Sequence, residues 1–249
     1  NSQLIITTKS DNPSIIVIDN EGKFLYAVNE VDNYDENSSG AISVYELVKG
    51  SGKLNLIQQV SSLGAHPAHL SIDKSGKYLL VANYTSGNIS VFPIDKDGRL
   101  GEHTALIQNY GSSVNPERQT SPHAHFIQVS NDNRFVMVAD LGIDKILIFQ
   151  FDSATGSLKP NEPAYINLSP GSGPRHFAFT PSGKFLYVLN ELTSTVTIFD
   201  FDPATASSQS KQTISTLPEN FEGTNTAAEI LVDSKGNFLY ASNRGDNSI

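Results

Sequence analysis

The chain has 249 residues, 38% of them hydrophobic and 17% charged, a balance that excludes a disordered or low-complexity protein. Its 17 basic and 26 acidic residues give a formal net charge of −9, which repels nucleic acid and anionic membrane, so neither is expected as a partner. The absence of cysteine excludes disulfides, thiolate zinc sites and a cysteine nucleophile, and no apolar run reaches the roughly 18 residues of a membrane span.

In chain order, residues 4–8 are an apolar run that ends at Asp11-Asn12-Pro13. It reads as the last strand of a repeat whose beginning is missing and not as a signal peptide; a cytoplasmic location is a separate expectation. Residues 15–18 and 24–29 form a hairpin, followed by an acidic polar loop over 32–40 and two further strands at 42–47 and 54–60. The pattern returns at 70–72, 78–83, 89–94 and 104–108. A polar segment over 109–122 is longer than a simple connection; it is either a binding loop held by a rigid scaffold or a surface excursion. The third copy runs from His125 through 135–140 and 146–151. The fourth has strands at 177–180, 184–190 and 195–201, with a Ser- and Gln-containing exposed loop around 206–211. The fifth begins near Glu229 and passes 238–243.

Each hairpin turns on Gly22, Gly76, Gly183 or Gly236, with Asn133 in the third copy, and its second strand ends on Asn29, Asn83, Asp140, Asn190 or Asn243. The end residues are 54, 57, 50 and 53 positions apart, a regular repeat of about 50. Four strands per repeat predict an all-β protein, a β-propeller of four-stranded blades with about five blades present. A continuous repeat argues for one propeller domain over residues 1–249. The strand count puts both ends inside blades, as in a fragment of a longer ring.

In such a blade the first strand lies nearest the axis and the second runs antiparallel to it. The start of the first and the end of the second therefore share one mouth of the channel. Repeat register places Ser14, Ala68, His125, Arg175 and Ala228 there, then Ile15, His69, Phe126, His176 and Glu229, and on the second strand Glu30, Tyr84, Leu141, Glu191 and Arg244. Equivalent positions differ in chemistry from blade to blade, which structure alone does not require. His69, His125, Arg175, His176, Glu191, Glu229 and Arg244 combine proton acceptors with anion holders, a hydrolase-like set. The structural alternative makes Arg175 with Glu191, and Arg244 with Glu229, inter-blade ion pairs, with His69 and His176 filling hydrogen bonds at strand ends. The repeated Asn reads as a structural tie. His123 stands two residues before His125, on the same side of an extended segment, but no third ligand follows at a recognisable spacing, so no metal centre is assigned. His66 and His103 read as surface groups. The chain has no G-x-S-x-G elbow, H-E-x-x-H helix or P-loop.

Several stretches together carry a resemblance: His66-Pro67-Ala68-His69, Asn115-Pro116-Glu117-Arg118-Gln119, Pro122-His123-Ala124-His125, Ala139-Asp140-Leu141-Gly142, residues 173–192 and Ser242-Asn243-Arg244-Gly245. The chain resembles the seven-bladed β-propeller lactonase family of bacterial 6-phosphogluconolactonases and the fungal carboxymuconate cyclase. The resemblance implies a catalytic mouth of one His, two Arg and one Glu, falling on His125, Arg175, Arg244 and Glu191. His69, His123, His176 and Glu229 then remain as candidate substrate-binding groups. The implied reaction is hydrolysis of a small anionic sugar lactone, 6-phosphoglucono-lactone to 6-phosphogluconate in the pentose phosphate pathway. His125 or Glu191 would activate water and the arginines would hold the carbonyl oxygen and the phosphate, with no metal or organic cofactor. A carboxymuconate-type cyclase or lactonase is the enzymatic alternative, and a non-enzymatic binding scaffold the alternative of another class. The departure is length, because the family has seven blades.

Overall fold

The computed structural model describes residues 6–249. Four four-stranded antiparallel sheets and one two-stranded sheet follow one another along the chain. They are β1 (Pro13–Ile18), β2 (Phe24–Asn29), β3 (Ala41–Val48) and β4 (Lys53–Ser61); β5 (Pro67–Ile72), β6 (Tyr78–Asn83), β7 (Asn88–Pro93) and β8 (Ala105–Gln108); β9 (Ala124–Val129), β10 (Phe135–Asp140), β11 (Lys145–Asp152) and β12 (Ser157–Asn167); β13 (Pro174–Phe179), β14 (Phe185–Asn190), β15 (Thr195–Phe201) and β16 (Ser208–Ser215); and the pair β17 (Thr226–Val232) and β18 (Leu239–Arg244). Strands pair in sequence order within each sheet, and the first strands of consecutive sheets touch, β1 on β5, β5 on β9, β9 on β13 and β13 on β17. This is the propeller arrangement that the repeat implies. No helix among the described residues is long and apolar enough to cross a membrane.

The core lies between the blades. Tyr26, Val28 and Ile42 pack on Leu70 and Leu79; Leu80 and Ala82 on Ile127 and Val138; Met137 and Ile148 on Phe177 and Leu186; Leu189 and Val196 on Ile230. A second strand thus buries both faces, so β6 and β10 are buried at every residue and read as continuous apolar runs without alternation. The turns explain the recurring glycine. Gly22, Gly76, Gly183 and Gly236 have φ of 67°, 73°, 70° and 73°, and Asn133 takes 63° in the same place, the left-handed region that Gly and Asn tolerate best.

The repeated Asn is a tie, as its position suggests. Asn29 donates to the Asp11 carbonyl and accepts from Ser43, Asn83 donates to the Ser62 carbonyl, and Asn190 donates to Thr195 and Thr197. Three expectations need correction. The strand anticipated at 4–8 lies partly outside the described residues, and 6–8 carry no strand. The loop anticipated at 206–211 is mostly β16, an outer strand so exposed that its sequence shows no buried face, while Ala206 is fully buried in the core. His66 is half-buried at φ 51° and not a surface group.

Candidate active site

Each first strand breaks register at one place. In β13, Pro174 pairs with Asn190 and His176 with Leu189, so Arg175 is an extra residue; in β9, Ala124 pairs with Asp140 and Phe126 with Ala139, so His125 is. The breaks at Ala68 in β5 and at Ala228-Glu229 in β17 are equivalent. Bulges of this kind re-aim side chains away from the ladder. They turn His125, Arg175 and Glu229 into a cavity of about 180 Å³, which His176 and Glu30 also line. A wider hollow of about 530 Å³ is lined by Phe185 on β14, Asp200 and Phe201 on β15 and Ser208 and Gln209 on β16, and by none of these groups.

At the rim, Glu191 is buried, with its side chain 4% exposed, and gathers three guanidinium groups. Arg118 Nη2 donates to Oε1 at 2.7 Å, while Arg175 Nη1 and Arg244 Nη2 donate to Oε2 at 3.2 and 2.9 Å. The expected pair of Arg175 with Glu191 is present. The expected pair of Arg244 with Glu229 is not, because Arg244 turns to Glu191 and Glu229 Oε1 lies 2.9 Å from His176 Nδ1. Burial lowers the pKa of Arg175, against the pull of Glu191, yet a guanidinium keeps its charge under any condition of interest.

Burial holds His125 well below the usual histidine range, and the neighbouring Arg175 and His176 add to this. Burial likewise lowers His176 despite Glu229, so their contact is a hydrogen bond from a neutral Nδ1–H and not an ion pair. Burial raises the Glu229 carboxyl, but its hydrogen bonds with His176 and Ile230 N, with Arg175 nearby, outweigh it and hold the group below its ordinary value. His69 is lowered most by burial; its Nδ1 accepts from Ile127 N at 3.4 Å, and its ring lies 4.0 Å from that of Phe126. Three nitrogens of this set, His125 Nδ1, His176 Nε2 and Arg175 Nε, are buried without a hydrogen-bond partner among the described residues. Buried polar groups without partners in a cavity wall are where a ligand or water completes the bonding.

The structure brings His125, Arg175, His176, Glu191, Glu229 and Arg244 together, with His69 behind them 5.7 Å from His176, ring to ring. His123 stands apart from the cavity wall, stacked 4.5 Å on the Tyr84 ring with Nδ1 3.0 Å from the Tyr84 carbonyl. Sequence reasoning missed Arg118. It lies in the 109–122 segment, outside the repeat, so register could not reach it, and only the stretch Asn115 to Gln119 pointed there. That segment is hydrogen-bonded into the scaffold. Gln119, fully buried, donates to the Leu141 carbonyl and to Asp144, and Asp144 also accepts from Ser113, Gly171 N and Gly173 N.

Fold and mouth define a β-propeller whose channel entrance combines unprotonated imidazoles with clustered guanidinium groups, an arrangement suited to attack on a carbonyl next to an anion. A family model described as "Lactonase, 7-bladed beta-propeller" matches residues 2–249, and the chain belongs to that family. It is 30% identical over 244 residues to the 6-phosphogluconolactonase of Bacillus subtilis, covering 98% of this chain and 67% of that protein. It is 32% identical to that of Formosa agariphila, covering 95% and 65%. The structure of the Pseudomonas aeruginosa periplasmic gluconolactonase superposes with a TM-score of 0.90 at 31% identity, covering 98% of this chain and 69% of the other. The chain thus spans about two thirds of the length of these relatives.

Proposed function

We propose that this chain carries the catalytic mouth of a lactone hydrolase acting on 6-phosphoglucono-lactone, within a single propeller domain. The observation that carries the reading is the cavity itself, where a neutral His125 and a charged Arg175 present unpartnered nitrogens beside two further arginines fixed by Glu191. The 6-phosphogluconolactonase names of relatives at 30% and 32% identity support the substrate.

Glu191 is the weaker of the two candidate bases, because both its oxygens already accept from guanidinium groups. His125 is therefore the base. It takes a proton from water as the oxygen attacks the lactone carbonyl, and Arg175 meets the charge that develops on the carbonyl oxygen. The ring carbon–oxygen bond then breaks, the leaving alkoxide recovers the proton from His125, and the open acid results. Arg244 grips the phosphate, and Glu229 orients His176 in the wall. A phosphorylated substrate fits a cytoplasmic enzyme.

Proton release from freshly generated 6-phosphoglucono-lactone by the full-length protein, corrected for spontaneous hydrolysis, tests this. Turnover far above background is expected. Turnover of a carboxylated muconolactone alone would transfer the reading to that substrate, and no turnover of either by a folded protein would leave a binding scaffold.

A further inference from the structure

Of the three guanidinium groups on Glu191, two stand on propeller strands, Arg175 in β13 and Arg244 at the end of β18; Arg118 arrives from the 109–122 loop. Its placement is built. The Asn115 side chain accepts from Glu117 N and Arg118 N at 3.0 Å each, Gln119 N donates to the Asn115 carbonyl, and the Gln119 amide is anchored as described. A loop this fixed holds its arginine at low entropic cost.

The charges are unevenly balanced. Arg175 is flanked by Glu191, Glu229 and Glu30, whereas among the described residues Arg118 and Arg244 each pair with Glu191 alone. The uncompensated positive charge therefore sits at the rim, on side chains 37% and 50% exposed. Each uses only Nη2, so Nε and Nη1 of both have no partner among the described residues. Tyr84 Oη accepts from Arg118 at 3.2 Å, which leaves its own proton free to donate. Two forks and a hydroxyl at one rim match a dianionic phosphate, which guanidinium binds bidentately.

We infer that Arg118 is a specificity residue of this mouth. With Arg244 across Glu191, and with the Tyr84 hydroxyl, it binds the phosphate of a phosphorylated lactone and sets the preference for that substrate over a neutral one. The inference rests on the lactonase reading for its substrate, but the subsite can be read by binding alone.

In the full-length protein, Arg118→Gln and Arg118→Lys are compared with wild type on 6-phosphoglucono-lactone and glucono-lactone. Arg118→Gln is expected to lower the ratio of kcat/KM, phosphorylated over neutral, at least tenfold, with Arg118→Lys between. A ratio within twofold of wild type overturns the inference, since a merely structural role lowers both substrates alike. Calorimetric binding of 6-phosphogluconate and gluconate gives a readout without turnover. Wild type is expected to hold the phosphorylated acid at least tenfold more tightly and Arg118→Gln to lose that margin; equal affinities in wild type overturn the inference even if the variants fail to fold. Absence of lactonase activity with this binding preference intact would refute the reaction and not the subsite.

Discussion

Glu191 shares two oxygens among three arginines, and His125 keeps an unpartnered ring nitrogen in the cavity wall. Replacing His125 by Gln removes the proton acceptor while keeping the volume, and is expected to lower kcat by about 10² to 10⁴. The pH profile carries a sign. Burial, with Arg175 and His176, depresses the His125 pKa below its ordinary 6.5, so the base is already unprotonated at neutral pH. The wild-type kcat/KM should be level through pH 7 and decline only well below 6.5, and His125→Gln should lack that acid limb. A limb centred above 6.5 would assign the base elsewhere. Repeat register made His125, Arg175, Glu191 and Arg244 legible in the sequence, because equivalent positions in other blades hold different groups. It could not decide between His125 and Glu191, since that depends on which atoms the arginines occupy.

Among the elements, the short 3-10 turn Leu141–Ile143 braces the segment that presents His123 and His125. Asp140 caps it, accepting from Gly142 N, His123 N and Asn109; burial raises its carboxyl against the pull of those bonds. A Cβ on Gly142 would collide with the Ser121 carbonyl oxygen and crowd His123 N, both main-chain atoms that cannot step aside. Gly142→Ala should cost about 1–3 kcal/mol in denaturant unfolding and reduce activity at least tenfold by moving His125; unchanged activity would show that the turn does not position the base. Hairpins were the most legible elements, β2, β6 and β10 falling on the apolar runs that follow the turn residues Gly22, Gly76 and Asn133. Bulges left no trace in the sequence, although they aim Arg175 and His125, because an extra residue becomes visible only against its partner strand. The outer strand β16 was read as loop because a strand exposed along nearly its whole length, rich in Ser and Gln, has no apolar face to show.

For the molecule as a whole, the mouth concentrates three histidines, His69, His125 and His176, whose pKa values are all lowered by burial. The folded form resists protonation where the unfolded chain, with histidine near 6.5, accepts it. Their stability contribution is complete above pH 6.5 and is lost as pH falls toward the folded values, at about 1.4 kcal/mol per pH unit for each proton bound only when unfolded. The urea midpoint of the full-length protein should be level from pH 8 to 7 and drop between 6.5 and 5. A midpoint unchanged to pH 5 would mean that these rings are protonated in the folded state. The lowered Glu229 carboxyl adds its own loss below about pH 4.5. The exposed apolar groups on strands are most conspicuous in the first and last sheets, Ile16 and Ile18 on β1, Leu231 on β17 and Tyr240 on β18, since a blade needs a neighbour on each side to bury both faces.

The central claim is that the mouth around Arg175 is catalytic and not a set of inter-blade ties. Arg175→Ala in the full-length protein, assayed by proton release from 6-phosphoglucono-lactone with folding verified by denaturant unfolding, tests it most directly. A fall in kcat of about 10² to 10³, the loss typical when one oxyanion donor is removed, is expected. Activity within twofold of wild type, with only stability reduced, would contradict the account.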